Sequence, residues 1–252
     1  MYKLGLKLWS TNTDYYYDEA IRLYNKGIFD YIELYVVPDT TDTLKKWKNL
    51  KIPFAIHAPH FNHGVNLADV DKFEFNRKTF DTVCHWADEL NAKYIIFHPG
   101  VLGNVEETIR QINLIKDDRM IVENKPPYQI PSMRICRGSK FEEMEHIITQ
   151  TGIKTCLDIG HCITSANYYK QDIYEYLQKF QSLSPIYYHI ADNFSDSSND
   201  QHLSIGQGNY DFNKIFKIIN LDNHILLETN KKSKENLNDF IEDVKKIKSF
   251  GG

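Results

Sequence analysis

Eight short apolar runs, each followed by a longer amphipathic stretch, repeat along the chain and leave few folds open to it. The runs cover 4–9, 31–36, 53–57, 94–98, 120–123, 155–158, 186–190 and 225–228, and are rich in Ile, Val, Tyr and Phe. That is the composition of strands buried on both faces. The stretches 18–24, 73–90, 105–115, 141–149, 173–180 and 213–219 carry apolar residues three and four apart, which marks one buried helix face. A last helix is expected over 234–247, with Leu237, Phe240, Ile241, Val244 and Ile247 on one stripe; the weakest pattern lies over 43–47. Strict βα alternation predicts a parallel α/β sheet with right-handed crossovers. Eight units in 252 residues favour a single (β/α)8 TIM barrel over an open doubly wound sheet. No Gly-x-Gly-x-x-Gly follows the first run, as a dinucleotide-binding open sheet would require. No linker or low-complexity tract interrupts the pattern, so one barrel domain over 1–250 is expected.

Composition narrows the function classes. Hydrophobic residues make up 42% and charged residues 25%, ordinary values for a globular chain. A net charge of −4 supplies no global basic field for nucleic acid, though a local basic groove stays open. Cys84, Cys136, Cys156 and Cys162 form no Cys-x-x-Cys pair and are expected as reduced, buried or idle thiols of a cytoplasmic protein. The start lacks an apolar stretch after a basic one, and no long apolar run occurs, so neither a signal peptide nor a membrane span is expected.

The chemistry gathers at the strand ends. Strand three ends in Ile56-His57-Ala58-Pro59-His60 and strand four in Phe97-His98-Pro99-Gly100. Strand five ends in Val122-Glu123-Asn124, and strand six in Leu157-Asp158-Ile159-Gly160-His161. Strand seven ends in His189-Ile190-Ala191-Asp192 and strand eight in Glu228-Thr229. Any one of these residues is more often a core histidine, a helix cap or an ion-pair partner than a ligand. Their convergence changes that reading. In a barrel, consecutive parallel strands deliver their C-terminal ends to one face, where such enzymes keep their active sites.

Burying several carboxylates together is costly unless cations accompany them. The candidate metal ligands are His57, His98, Glu123, Asp158, His161, His189 and Glu228, joined by Asp200 and His202 in the loop after strand seven. One divalent ion takes at most about eight ligands. A single ion would also leave the four carboxylates among these residues net negative. The set therefore points to two or three ions, and the imidazole–carboxylate mixture suits zinc, with manganese or iron next. A site that stays positive suits an anionic substrate such as a phosphate ester.

These strand ends resemble those of the endonuclease IV family, AP endonuclease family 2, within the xylose isomerase-like barrels. The matching motifs are His57-Ala58-Pro59, Phe97-His98-Pro99-Gly100, Glu123-Asn124, Asp158 to His161, His189, and Glu228-Thr229. Asp200-Gln201-His202, placed before Ser204-Ile205-Gly206-Gln207-Gly208, also matches. The resemblance implies that His57 and His98 hold one zinc, with Glu123 bridging to a second that Asp158, His189 and Glu228 complete. It assigns a third to His161, Asp200 and His202, and implies a metal-dependent phosphodiesterase in which metal-activated water attacks the ester. Glu123 and Glu228 are the catalytic candidates.

The chain departs from that pattern where the family reads DNA. His60 stands at the position of an aromatic DNA-probing residue, and the loop after strand two, Val36-Val37-Pro38-Asp39-Thr40-Thr41, has no arginine. The expected substrate is thus a small phosphate-bearing or sugar-like molecule, with duplex DNA disfavoured. The alternative is a sugar or sugar-phosphate isomerase or epimerase holding one metal and shuttling a proton through carboxylates. His98 and Asp200-x-His202 separate the two, because a one-metal site does not require them. A non-catalytic metal-binding barrel is the remaining class. His60 and Trp9 are expected to line the substrate pocket; His63 lies close by with an equally ordinary loop role. His85 and His146 fall in helices, and His224 opens strand eight at the opposite end. Tyr15, Tyr16 and Tyr17 fit a helix-start surface better than a pocket rim.

Overall fold

Alternation of side chains along each strand sorts the barrel into an inner and an outer layer. The computed structural model describes residues 2–129 and 131–250. Its strands, in chain order, are β1 (Lys3–Trp9), β2 (Tyr31–Tyr35), β3 (Phe54–His57), β4 (Ile95–Phe97) and β5 (Met120–Glu123). A short antiparallel ribbon follows, β6 (Tyr128–Gln129) and β7 (Arg134–Ile135), and then β8 (Lys154–Asp158), β9 (Tyr187–Ile190) and β10 (His224–Leu227). The eight strands outside the ribbon form a closed barrel of parallel neighbours, with β10 paired to β1. This is the expected single (β/α)8 barrel.

The outer layer packs Leu4, Leu6 and Leu8, Ile32 and Leu34, and their counterparts against the helices. The inner layer is a separate cluster: Tyr31, Ala55, Ile96, Ile121, Cys156, Tyr187 and Leu226. Because strand side chains repeat every second residue, the position two beyond each inner residue also points inward, nearer the C-terminal mouth. Those positions are Glu33, His57, His98, Glu123, Asp158, His189 and Glu228. The period-two rule alone thus stacks a charged layer on an apolar plug. Gly5 continues the inner face of β1; a Cβ there would meet the Tyr31 ring at 2.4 Å, so glycine makes room for that ring in the plug.

The helices are α1 (Tyr17–Asn25), α2 (Leu44–Lys48), α3 (Phe73–Glu89), α4 (Val105–Ile115), α5 (Phe141–Thr151), α6 (Ile159–Tyr168), α7 (Ile173–Gln181), α8 (Phe212–Ile218) and α9 (Asn238–Phe250). His85 and His146 lie on α3 and α5, and His224 opens β10 at the end away from the mouth, as expected. Two features correct the sequence reading. Helix α6 was not expected: residues 159–166 are all buried, so no polar face produces the stripe by which helices are recognised. Helix α9 begins at Asn238 rather than at 234, because Ser233 Oγ and Asn236 Oδ1 accept the backbone N–H groups of Glu235 and Asn238 and hold the preceding segment in turns. The four cysteines are free thiols. Among the described residues no helix is long and apolar enough to cross a membrane.

The loop that carries His98 is locked from behind. Asn66 accepts the Val101 N–H at 2.9 Å and donates to the Val101 carbonyl at 3.0 Å. Gly100 sits against it with φ +127; a Cβ there would lie 2.5 Å from Asn66 Oδ1 and 2.8 Å from the Ala68 nitrogen. Gly100→Ala must both strain the backbone and push two loops apart, so it is expected to cost about 3 kcal/mol. A urea-unfolding midpoint within error of the wild type would show that this loop adjusts freely.

Candidate metal centre

Nine ligand-type side chains meet in the barrel mouth, six from strand ends, two from one loop and one, His161, from the first turn of α6. Their donor atoms form four overlapping groups, each within 4.8 Å: His57–His98–Glu123, Glu123–Asp158–His161, Asp158–His189–Glu228 and His161–Asp200–His202. Every candidate ligand named from the sequence is in at least one group, and Glu123, Asp158 and His161 each belong to two. His57 Nε2 and His98 Nε2 lie 3.2 and 3.3 Å from the same oxygen, Glu123 Oε2. His161 Nδ1 lies 3.1 Å from the other oxygen, Oε1.

The hydrogen bonds behind the rings determine which nitrogen faces inward. His57 Nδ1 donates to the Ala58 carbonyl at 2.8 Å, His161 Nδ1 to the Asn124 carbonyl at 2.9 Å, and His202 Nδ1 to the Glu228 carbonyl at 2.8 Å. His189 Nε2 donates to Glu33 Oε2 at 3.0 Å. Each of these rings presents its other nitrogen to carboxylates, the arrangement in which outer partners orient metal-binding imidazoles. His189 Nδ1 lies 3.1 Å from Glu228 Oε2, 3.5 Å from Glu123 Oε2 and 3.8 Å from Asp158 Oδ2, yet makes no hydrogen bond. A buried ring nitrogen facing three carboxylates calls for positive charge between them, a proton or a metal ion, and the donor set fits divalent metal. The carboxylates also favour positive charge on the rings of His202 and His161. Burial opposes the imidazolium of His202, but Asp200 lifts it to about 10; burial likewise opposes that of His161, which Asp158 lifts to about 9.

The local sequence explains how the loop ligands are held. Asp158 ends β8 and caps α6, its Oδ1 accepting the His161 N–H at 2.7 Å. His161 is therefore fixed on the first turn of a buried helix rather than in a loop. Asp192 organises the Ser-x-Gly-x-Gly turn: Oδ2 accepts the N–H groups of Gly206 and Gly208 at 2.7 and 3.0 Å, and Oδ1 that of Tyr210 at 3.2 Å. Its own backbone exchanges two hydrogen bonds with Leu203 at 2.9 Å, closing the loop that carries Asp200 and His202. His202 stands at φ +49, a left-handed conformation that histidine adopts more readily than most residues other than glycine.

Sequence reasoning missed Lys7, Glu33 and Lys125. Lys7 Nζ lies 2.5 Å from Glu33 Oε1 and 3.0 Å from Glu228 Oε1, so one buried ammonium ties β1 to β2 and to the end of β10. Burial works against the charge of Glu33, but His189 and Lys7 hold its carboxyl down at about 2. The available signal was an ionisable residue in step with the inner face of an otherwise apolar strand. Lys125 lies just beyond the Glu123-Asn124 motif and before Pro126-Pro127, and no spacing marked it as part of the cluster. Its Nζ reaches into the cluster, 3.2 Å from Glu123 Oε1, 3.2 Å from His98 Nε2 and 3.3 Å from His161 Nε2. Burial again disfavours the ammonium, and Glu123 and Asp158 outweigh it.

The cluster floors a cavity of about 620 Å³ whose wall includes Trp9 and His60. Trp9 packs on Tyr35 with centroids 4.9 Å apart and is 45% exposed. His60 stacks on His98 at 5.2 Å. Burial, then Lys125, push its imidazolium down to about 3, so the stacked ring is neutral. His63 is turned aside, Nδ1 bonded to Tyr35 Oη at 2.7 Å. Tyr15 and Tyr16 reach the cavity wall, which corrects the helix-start reading for those two, while Tyr17 opens α1 and lies against Trp47.

Because the Lys125 ammonium donates to His98, it competes with any metal for that lone pair. Lys125→Met should therefore tighten metal retention by about tenfold or more, the scale of one charge-assisted hydrogen bond. Metal content by elemental analysis along a chelator titration reads this; coincident curves for variant and wild type would show that the lysine does not compete.

Comparison with known proteins identifies the family and the fold. A probable endonuclease 4 of Mycoplasmoides gallisepticum is 29% identical over 189 residues, 66% of this chain and 59% of that protein. The chain thus matches about three fifths of that relative's length. Among solved structures, a D-tagatose 3-epimerase-like protein superposes with TM-score 0.73 at 20% identity, over 98% of this chain and 96% of that one. Endonuclease IV from Thermus thermophilus superposes with TM-score 0.63 at 18% identity, over 98% and 97%. At these identities the two structures report the fold. The xylose isomerase-like TIM barrel model matches residues 25–250, and the chain belongs to that family.

Proposed function

We propose that the protein is a metal-dependent hydrolase of small phosphate esters, similar to endonuclease IV in its ligand set. One observation carries this reading: the groups His57–His98–Glu123 and His161–Asp200–His202 are assembled beside Asp158–His189–Glu228. An isomerase with a single ion needs only the last group and Glu123, and would leave His57, His98, Asp200 and His202 without a task. The proposed assignment is His57 and His98 for one ion, Glu123 shared with a second, and Asp158, His189 and Glu228 completing that second. His161, Asp200 and His202 would take a third. Zinc suits this mixture of imidazole and carboxylate, with manganese or iron as the next choices. Bound there, divalent ions would lower the pKa of water and neutralise charge on a phosphoryl group.

The chain's own groups supply the rest. Glu123 spaces the histidines on either side of it, and Lys7 together with the His202 ring fixes Glu228 at the mouth. Trp9 and the neutral His60 ring form apolar walls that shield the floor from water. The cavity has the size of a small-molecule site, and its lining contains no arginine among the described residues. Gripping duplex DNA requires many cations on the rim to neutralise phosphates, whereas Lys7 and Lys125 are buried in the floor and the cavity wall adds only Lys231 and Lys234. Duplex DNA is therefore the less suited substrate.

A second reading, a sugar isomerase or epimerase, is favoured by Lys125. An ammonium kept between Glu123, His98 and His161 would leave Glu123, Asp158, His189 and Glu228 to hold one ion. Glu123 and Glu228 would then serve as the proton-shuttling carboxylates.

Two measurements test these readings. Turnover of a nitrophenyl phosphodiester with little cleavage of an abasic duplex is expected. Efficient, steeply salt-dependent cleavage of the duplex would restore a DNA-directed endonuclease, and activity on a ketose alone would establish the isomerase. Separately, Glu123→Gln should lower metal occupancy and reduce turnover by about a hundredfold or more; full occupancy with near-normal turnover would refute the shared-ligand role.

A further inference from the structure

Four lysines line the cavity, and they are not equivalent. Lys7 is paired with Glu33 and Glu228, and Lys125 with Glu123. Lys234 is exposed and lies over the Tyr15 ring, 5.4 Å from its centroid. Lys231 is partly buried in the cavity wall and, among the described residues, makes no hydrogen bond and no ion pair. Glu228 and Asp243 act on it only at longer range. Asp243 is engaged elsewhere, by Thr229 Oγ1 at 2.7 Å and the Ile205 N–H at 2.8 Å. Burial, and then the ammonium of Lys7, push the Lys231 amine down to about 8. An enclosed cation without a partner is unfavourable on its own and is relieved when an anion arrives.

The backbone around Lys231 is held as a binding residue needs. On one side the Asn230 N–H donates to the His202 carbonyl at 2.9 Å, and Asn230 Nδ2 donates to the Gln201 carbonyl at 2.8 Å. On the other, the Lys232 N–H donates to Asp239 Oδ2 at 3.0 Å. The first pair ties the residue to the loop carrying Asp200 and His202, so its position relative to the carboxylate–histidine floor is set before any ligand binds. Preorganisation of this kind lowers the cost of binding. The same wall carries Tyr15 and the exposed face of Trp9, flat surfaces on which a planar ring can stack.

We propose that Lys231 is a specificity-determining residue that binds a second, non-reacting phosphomonoester of a small nucleotide-like substrate, whose reacting ester lies over the floor. The assignment of the reacting group rests on the phosphate-ester reading above; the binding role of Lys231 is tested apart from it. The probes are a nucleoside bisphosphate and the corresponding nucleoside monophosphate, titrated calorimetrically into the protein as purified. The wild type is expected to bind the bisphosphate about tenfold or more tightly than the monophosphate. Lys231→Met should abolish that advantage, Lys231→Arg should keep most of it, and Lys234→Met should reduce it less. Equal affinity for the two probes in the wild type, or an undiminished advantage in Lys231→Met, would overturn the proposal. Because the readout is a difference between two ligands, it stands whether or not the nitrophenyl phosphodiester is turned over. Failure of turnover with the bisphosphate advantage intact would refute the hydrolase and leave the Lys231 subsite.

Discussion

The carboxylates of Glu33, Glu123, Asp158 and Glu228 share the mouth of one barrel, where little water remains to solvate them. Isolated buried carboxylates are too costly to keep charged, so each must be met by a cation or take up a proton. The surrounding structure answers that requirement in three ways. Lys7 and Lys125 bring ammonium groups into the floor, histidine rings present one nitrogen each to the carboxylates, and Asp158 is the group that yields. Burial raises its carboxyl to about 6, although His161 pulls it down. A metal centre is the fourth possible answer, and the ring nitrogens are already aimed for it.

The Lys7–Glu33–His189 chain shows how this electrostatic need shapes the inner layer. Glu33 accepts from Lys7 on one oxygen and from His189 on the other, so it joins a cation and a ring. A pair of this kind adds little stability, because desolvating both charges offsets most of their attraction. Its value lies in orientation: the donation by His189 Nε2 to Glu33 is what leaves Nδ1 facing the candidate metal ligands. Lys125 plays the opposite part. It pairs with Glu123 and reaches ring nitrogens that a metal would use, which is why the two functional readings divide on this one side chain.

Much of this was legible in the sequence. The alternation of apolar runs and amphipathic stretches sufficed for the barrel, because parallel strands and their covering helices each impose their own period. The strand-end residues were legible for the same reason: a strand's side chains alternate, and the ends of parallel strands share one face. Helix α6 was hidden because burial on every side removes the polar stripe. The start of α9 was misplaced because Leu237, which continues its apolar stripe, is buried from a turn rather than from a helix.

What the sequence by itself determined is the layered barrel and the identity of the side chains delivered to its mouth, since both follow from short-range periodicity. Only the tertiary structure decided which of those side chains meet. The position of Glu123 between His57, His98 and His161, the intrusion of Lys125 and, among the described residues, the lack of a partner for Lys231 depend on distances between strands and loops far apart in the chain. Those distances come from barrel closure and from the register of neighbouring strands, and a local pattern of residues carries no record of either.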